Sequence, residues 1–147
     1  MPTATSQAQQ SPRQPVIAVV GLSDRPDRAS NEVSAYMQRH GYRIVGINPR
    51  HAGSMVLGEL CYASLREAQQ ALSASGERLD IVNCFRRAED IPPIVDEAIA
   101  VDASCVWMQL GIVNEAAAAK ARAAGLQVIM DRCIKIEHAM GITHGVL

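Results

Sequence analysis

From Val16 onward, short unbroken apolar runs alternate with longer stretches in which apolar residues recur every three to four positions. The runs 16–20, 43–47, 80–84, 104–108 and 126–130 lack polar alternation, as parallel strands covered on both faces do. A short extended piece near Leu60–Tyr62 adds a candidate edge strand. The periodic stretches 30–40, 64–73, 89–101 and 114–124 predict helices. In 89–101, Ile91, Ile94, Val95, Ala98 and Ile99 form one stripe, and Pro92 and Pro93 fit only its first turn, which fixes the start. Asn114 is a good N-cap and Gly125 a good stop, with Ala117, Ala118, Ala121 and Ala124 as the buried face between them. Repeated strand–helix–strand units with right-handed crossovers build an α/β, doubly wound parallel sheet. The expected strand order is 3-2-1-4-5-6, with a short third strand. Ligands of such sheets sit beyond the carboxyl ends of the strands, here between the first strand and the fourth.

The first of these ends carries the most chemistry. Val16–Val20 runs into Gly21-Leu22-Ser23, an Arg-rich loop to Ala29, and Ser30-Asn31 at the head of a helix. A glycine turn leading to a helix N-terminus is the phosphate-binding half of a Rossmann-type unit. The match to GxGxxG is poor, because Ser23 replaces the second glycine and the loop is longer; a plain strand-to-helix turn with a serine cap also fits. The second strand ends in Asn48-Pro49-Arg50, a cation where an NAD site carries a ribose-gripping carboxylate. That favours a ligand with an extra phosphate, coenzyme A or NADP. Arg50 also fits a solvated surface cation, and His51 is expected to face solvent. Phe85-Arg86-Arg87, Gln109-Leu110-Gly111 and Asp131-Arg132-Cys133 follow the later strands. Phe85 suits a packed core as well as it suits contact with a base.

Composition adds limits. At 147 residues and net charge −1, the chain is one domain without the basic excess of a general nucleic-acid binder. Only Lys120 and Lys135 are lysines among 14 basic residues, and arginine suits bidentate phosphate contacts. The four cysteines have no CxxC or zinc spacing. Cys84 and Cys105 lie in apolar runs as small core residues, whereas Cys133 falls near the rim. No apolar run approaches the ~20 residues of a membrane span. Residues 1–14 are Gln/Ser/Pro-rich without a signal-peptide core and read as a disordered tail of a cytoplasmic protein. Residues 15–140 form the domain and 141–147 a C-terminal tail.

Taken in order and spacing, several segments resemble the small single-domain CoA-binding proteins, similar to the N-terminal domain of the succinyl-CoA synthetase α subunit. They are Val19–Ser23, Ser30–Val33, Val45–Pro49, Gly53–Gly58 with Ser64-Leu65, Asp80–Asn83, Val106–Gly111 and Asp131–Ile134. The resemblance spans roughly residues 15–140. It implies coenzyme A, or an acyl-CoA, along the strand ends. Gly21, Leu22, Ser23, Ser30 and Asn31 would hold the pyrophosphate region; Arg28, a cation of the same loop, is a site candidate from the residues themselves. Pro49 and Arg50 would sit near the phosphorylated ribose, Phe85 and Arg86 would flank the ligand, and Gln109 and Gly111 would lie toward the pantetheine; Arg132, after the last strand, is a further cation read from the residues alone. None of His40, His51, His138 and His144 matches the synthetase's phosphohistidine, so synthetase activity is not carried over. The residues offer no acid/base or nucleophile constellation, which favours non-catalytic binding. An NADP-dependent oxidoreductase, or a thiol-redox protein acting through Cys133, is the alternative. An Ala-rich helix face supports a homodimer without specifying one.

Overall fold

The computed structural model describes residues 14–147; the tail expected over 1–14 lies, but for Gln14, outside the described residues. The first strand, β1 (Val16–Val20), is followed by α1 (Ala29–Arg39), β2 (Arg43–Ile47), a hairpin of β3 (Met55–Val56) and β4 (Glu59–Leu60), and α2 (Leu65–Ser73). Then come β5 (Ile81–Cys84), α3 (Ile91–Ala100), β6 (Cys105–Met108), α4 (Glu115–Ala123), β7 (Gln127–Ile129) and α5 (Ile134–Ala139). The five long strands pair in parallel in the order β2-β1-β5-β6-β7. This is the doubly wound, Rossmann-like class the apolar pattern predicts.

The strand order departs from expectation at one edge. The third strand shrinks to a single parallel bridge, Ile47 to Tyr62, held by Tyr62 N–H to the Gly46 carbonyl and Asn48 N–H to the Tyr62 carbonyl, both 2.9 Å. A parallel neighbour needs a long crossover, and the segment before it is spent on the antiparallel β3–β4 hairpin, turned by Leu57 (φ 52°) and Gly58 (φ 79°). After the bridge, Ser64 caps α2 by accepting from Glu67 N–H at 3.2 Å, so the extended piece has no room to lengthen.

Alternation along the buried strands feeds two cores. Val16, Ala18 and Val20 face α2, α3 and α4 through Leu65, Ala68, Leu72, Ile91, Val95 and Ala118. Ile17 and Val19 face α1 and α5 through Val33, Met37 and Ile134. Trp107 is fully buried in this second core, its indole N–H donating to the Arg132 carbonyl at 2.8 Å. On α4, Ala117, Ala118 and Ala121 are buried as expected, whereas Ala124 is the exposed C-cap. The short helix α5 was not among the expected elements; six residues hold too few turns for a periodic signal. Beyond it, His144 Nε2 meets Glu137 Oε1 at 2.7 Å and its ring lies edge-on to Trp107. Val146 and Leu147 pack against the second core.

Candidate functional site

The crossover from β2 through α2 to β5 reverses the winding between β1 and β5, so loops diverge there and leave a crevice. The crevice opens as two clefts that share Ala29, Phe85 and Arg86.

The first, about 780 Å³, lies above β1 and β2. Gly21 makes its floor with φ +92°; a Cβ there would lie 2.6 Å from the Phe85 carbonyl oxygen, so no other residue fits without a shift. The loop after it is folded by its own polar side chains. Ser23 N–H donates to Ser30 Oγ at 2.9 Å, Asn31 Nδ2 donates to the Ser23 carbonyl at 2.8 Å, and Asn48 Nδ2 donates to the Leu22 carbonyl at 3.0 Å. Asn48 Oδ1 in turn accepts from Arg50 N–H at 3.0 Å and from an Arg86 guanidinium nitrogen at 3.5 Å. One buried amide thus ties together the ends of β1, β2 and β5.

Helix α1 begins at Ala29, and its N-cap, Arg28, gives no side-chain acceptor to the first turn. Asn31 and Glu32 N–H donate to the Arg28 carbonyl at 3.1 and 2.9 Å, which leaves the N–H groups of Ala29 and Ser30 for an anion. Arg28, Arg50 and Arg86 line the cleft, and among the described residues none of them has a carboxylate within 4 Å. Arginines at other loops differ: Arg43 pairs with Glu59 and Glu77, Arg78 with Asp80, and Arg87 with Glu89 and Asp90. Guanidinium groups without carboxylate partners, lining one cleft with the first residues of α1, have the chemistry to hold an anion.

The second cleft, about 770 Å³, is the apolar one, walled by Val33, Phe85, Leu110, Ile112, Cys133 and Ile136, with Gln109 at its base. The Gln109 amide is spent on Asn83 Oδ1 at 2.7 Å.

Of the residues expected at the site, Gly21, Ser23, Arg28, Ser30, Pro49, Arg50, Phe85 and Arg86 line the first cleft, and Gln109 lines the second. Four line neither. Leu22 is a core residue with no exposed surface. Asn31 is buried and braces the loop. Gly111 donates its N–H to Asp131 Oδ1 at 2.7 Å. Arg132 turns away toward Glu137, Nε to Oε1 3.9 Å. His51, expected at solvent, lines the first cleft with Nε2 3.7 Å from Asp24. Asn48 is no site residue in the sequence reading, yet an amide between a buried strand and a proline is itself the signal of a capping side chain. Cys133 is at the rim, as expected, as a wall of the second cleft.

A family model for the CoA binding domain matches residues 15–139, and the chain belongs to that family. It is 45% identical over 124 residues to "Uncharacterized protein YneT" of Bacillus subtilis (strain 168), covering 84% of this chain and 85% of that one. The fold matches cell-free ID.343 from Thermus thermophilus with a TM-score of 0.78 at 29% identity, over 95% of this chain and 96% of that chain. It also matches a hypothetical protein from Pyrococcus horikoshii OT3 with a TM-score of 0.76 at 34% identity, over 87% and 84% respectively. Among the described residues no helix is long and apolar enough to cross a membrane, and no cluster of three His, Cys, Asp or Glu side chains could hold a metal.

Proposed function

We propose that this chain binds coenzyme A across the two clefts and holds it without transforming it. The observation that carries the reading is the set of three guanidinium groups without carboxylate partners, Arg28, Arg50 and Arg86, above the open N-terminus of α1. In this reading the diphosphate lies on the Ser23–Ser30 loop between Arg28 and Arg86. The phosphorylated ribose lies by Pro49 and Arg50. The pantetheine passes Phe85 into the apolar cleft, where Gln109 lies at the base. An extra phosphate beside Arg50 supplies charge-assisted hydrogen bonds that a ligand lacking it cannot make. Family membership supports the ligand class.

Thermal unfolding with coenzyme A, dephospho-coenzyme A and NADP tests this. Coenzyme A is expected to raise Tm most, with dephospho-coenzyme A weaker by about 1 kcal/mol or more of binding energy. Equal shifts from the two would remove the role given to Arg50, and no shift from either would remove the proposal.

A further inference from the structure

The second cleft holds more apolar surface than a pantetheine arm, with its two amides, calls for. Leu110 is 66% exposed and Ile136 49% exposed, and both wall the cleft. Met140, 67% exposed, is the C-cap of α5, one turn after Ile136, and adds a further exposed apolar side chain beside the cleft's end of that helix. Large side chains left in water beside a ready-made groove mark a surface that gains by being covered. Polar groups around it are already engaged: Gln109 with Asn83, and Arg87 with Glu89 and Asp90. The cations next in the chain to Cys133 and Ile136 are engaged too, Arg132 with Glu137 and Lys135 with Glu32 at 2.9 Å. The first cleft therefore offers three cations without carboxylate partners, whereas the second has only Arg86, on the wall it shares with the first, and the carboxylate Asp90 lines it too.

We infer that the preferred ligand is a coenzyme A thioester of an uncharged, medium-length acyl chain, with the chain laid along Leu110, Ile112 and Ile136. The inference rests on the proposed coenzyme A reading, because continuity through Phe85 and Arg86 is what would bring the thioester end of the ligand to this groove. An acyl group ending in a carboxylate, such as succinyl, finds there only Arg86, which the proposed reading gives to the diphosphate, and farther along must desolvate its charge against Leu110 and Ile136. An uncharged chain pays no such penalty. Because the groove is open on one side, about half of each methylene is covered, which makes the gain about twofold per carbon.

Isothermal titration of the full chain with coenzyme A, propionyl-, octanoyl- and succinyl-coenzyme A separates the outcomes. From propionyl to octanoyl the affinity is expected to rise about thirtyfold, with succinyl-coenzyme A no tighter than coenzyme A. In the double variant Leu110→Ser, Ile136→Ser that rise is expected to fall to about fivefold; both positions are exposed enough to be changed without opening the core. Equal affinity for coenzyme A and octanoyl-coenzyme A overturns this inference and leaves the coenzyme A reading standing. Tighter binding of succinyl- than of octanoyl-coenzyme A overturns it as well. A dimer that the double variant dissociates, with no chain-length dependence in either protein, assigns the stripe to a second copy and overturns it too. No binding of any thioester or of coenzyme A itself overturns both readings.

Discussion

The rim above β1 and β2 and the rim above β6 and β7 are built on the same sheet with opposite strategies. At the first, buried polar side chains (Ser30, Asn31, Asn48) consume the backbone groups of the loops, so the arginines are left facing an open cleft without partners. At the second, the loops are held by Trp107 to the Arg132 carbonyl and by Asp131 to the Gly111 N–H, while Arg132 and Lys135 find carboxylates. What is left over there is apolar surface. A charged ligand part suits the first rim and an uncharged part the second, and a molecule with one of each spans both.

The sharpest way to break this contrast is at the two glycines of the rims. Both have positive φ, +92° at Gly21 and +83° at Gly111, but a Cβ at Gly111 meets nothing within 4 Å whereas one at Gly21 collides with Phe85 backbone. Gly111→Ala is expected to cost about 1 kcal/mol, the price of a left-handed backbone alone. Gly21→Ala is expected to cost about 3 kcal/mol or more and to lower Tm by about 10 °C, because the β1 and β5 ends must part. Equal Tm losses in the two variants would mean that the first rim is no more tightly built than the second.

Next in size is Asn48→Ala. It strips a buried partner from the Leu22 carbonyl and from Arg50 N–H, for an expected loss of about 2–3 kcal/mol in denaturant unfolding. Coenzyme A affinity is expected to fall about tenfold besides, as Arg86 and the turn carrying Arg50 lose their common anchor. Asp131→Ala, which releases one exposed N–H at the second rim, is expected to cost about 1 kcal/mol.

How much of this was legible in the sequence follows the same division. Strands and helices with continuous apolar patterns were legible to within one or two residues, because burial on both faces leaves no other pattern. Three of the four arginines expected at the site, Arg28, Arg50 and Arg86, line the first cleft, because the loops that follow the strands are where the topology opens a crevice. What the sequence hid were decisions made by tertiary hydrogen bonds. Nothing local says that Asn31 turns inward to Ser23, that Ser30 serves as an acceptor from Ser23 rather than as a helix cap, or that Arg132 leaves the rim for Glu137. Leu22 follows a glycine turn but points into the core, because its side chain fills the space that Gly46 leaves open: a Cβ on Gly46 would come within 2.8 Å of it. The apolar second cleft is assembled from α1, the loops after β5 and β6, and α5, segments far apart in the chain, and no single window displays it.

Among the cations the contrast becomes a graded series. Arg50→Ala is expected to weaken coenzyme A by about tenfold or more, and to weaken dephospho-coenzyme A much less, since its partner phosphate is absent there. Arg28→Ala is expected to weaken both ligands alike, through the shared diphosphate. Arg132→Ala, at the second rim and already turned to Glu137, is expected to change neither by more than about twofold, as a solvated pair contributes little to a ligand it does not touch. Titration of the three variants with the two ligands reads the series directly, and an Arg132 effect as large as that of Arg50 would erase the distinction between the rims.

The smallest expected effect concerns the thiols, which differ between the interior and the second rim. Burial pushes Cys84 and Cys105 up to about 12 and raises Cys61 as well, so these three stay neutral and enclosed near pH 8. Cys133 alone is partly exposed. Titration of the native protein with a thiol reagent at pH 8 is expected to modify Cys133 quickly and the other three only on unfolding, with no change in Tm before reagent is added. Because the folded-state values of Cys84 and Cys105 lie above the unfolded one, their contribution to stability is complete below about pH 8.5 and is lost as pH rises from there toward 12. Comparing Tm of the wild type with that of Cys84→Ala, Cys105→Ala checks the sign: the gap between the two is expected to be constant up to about pH 8.5 and to narrow above it. A gap that widens with pH would mean that these thiols ionise more readily folded than unfolded, which their enclosure forbids.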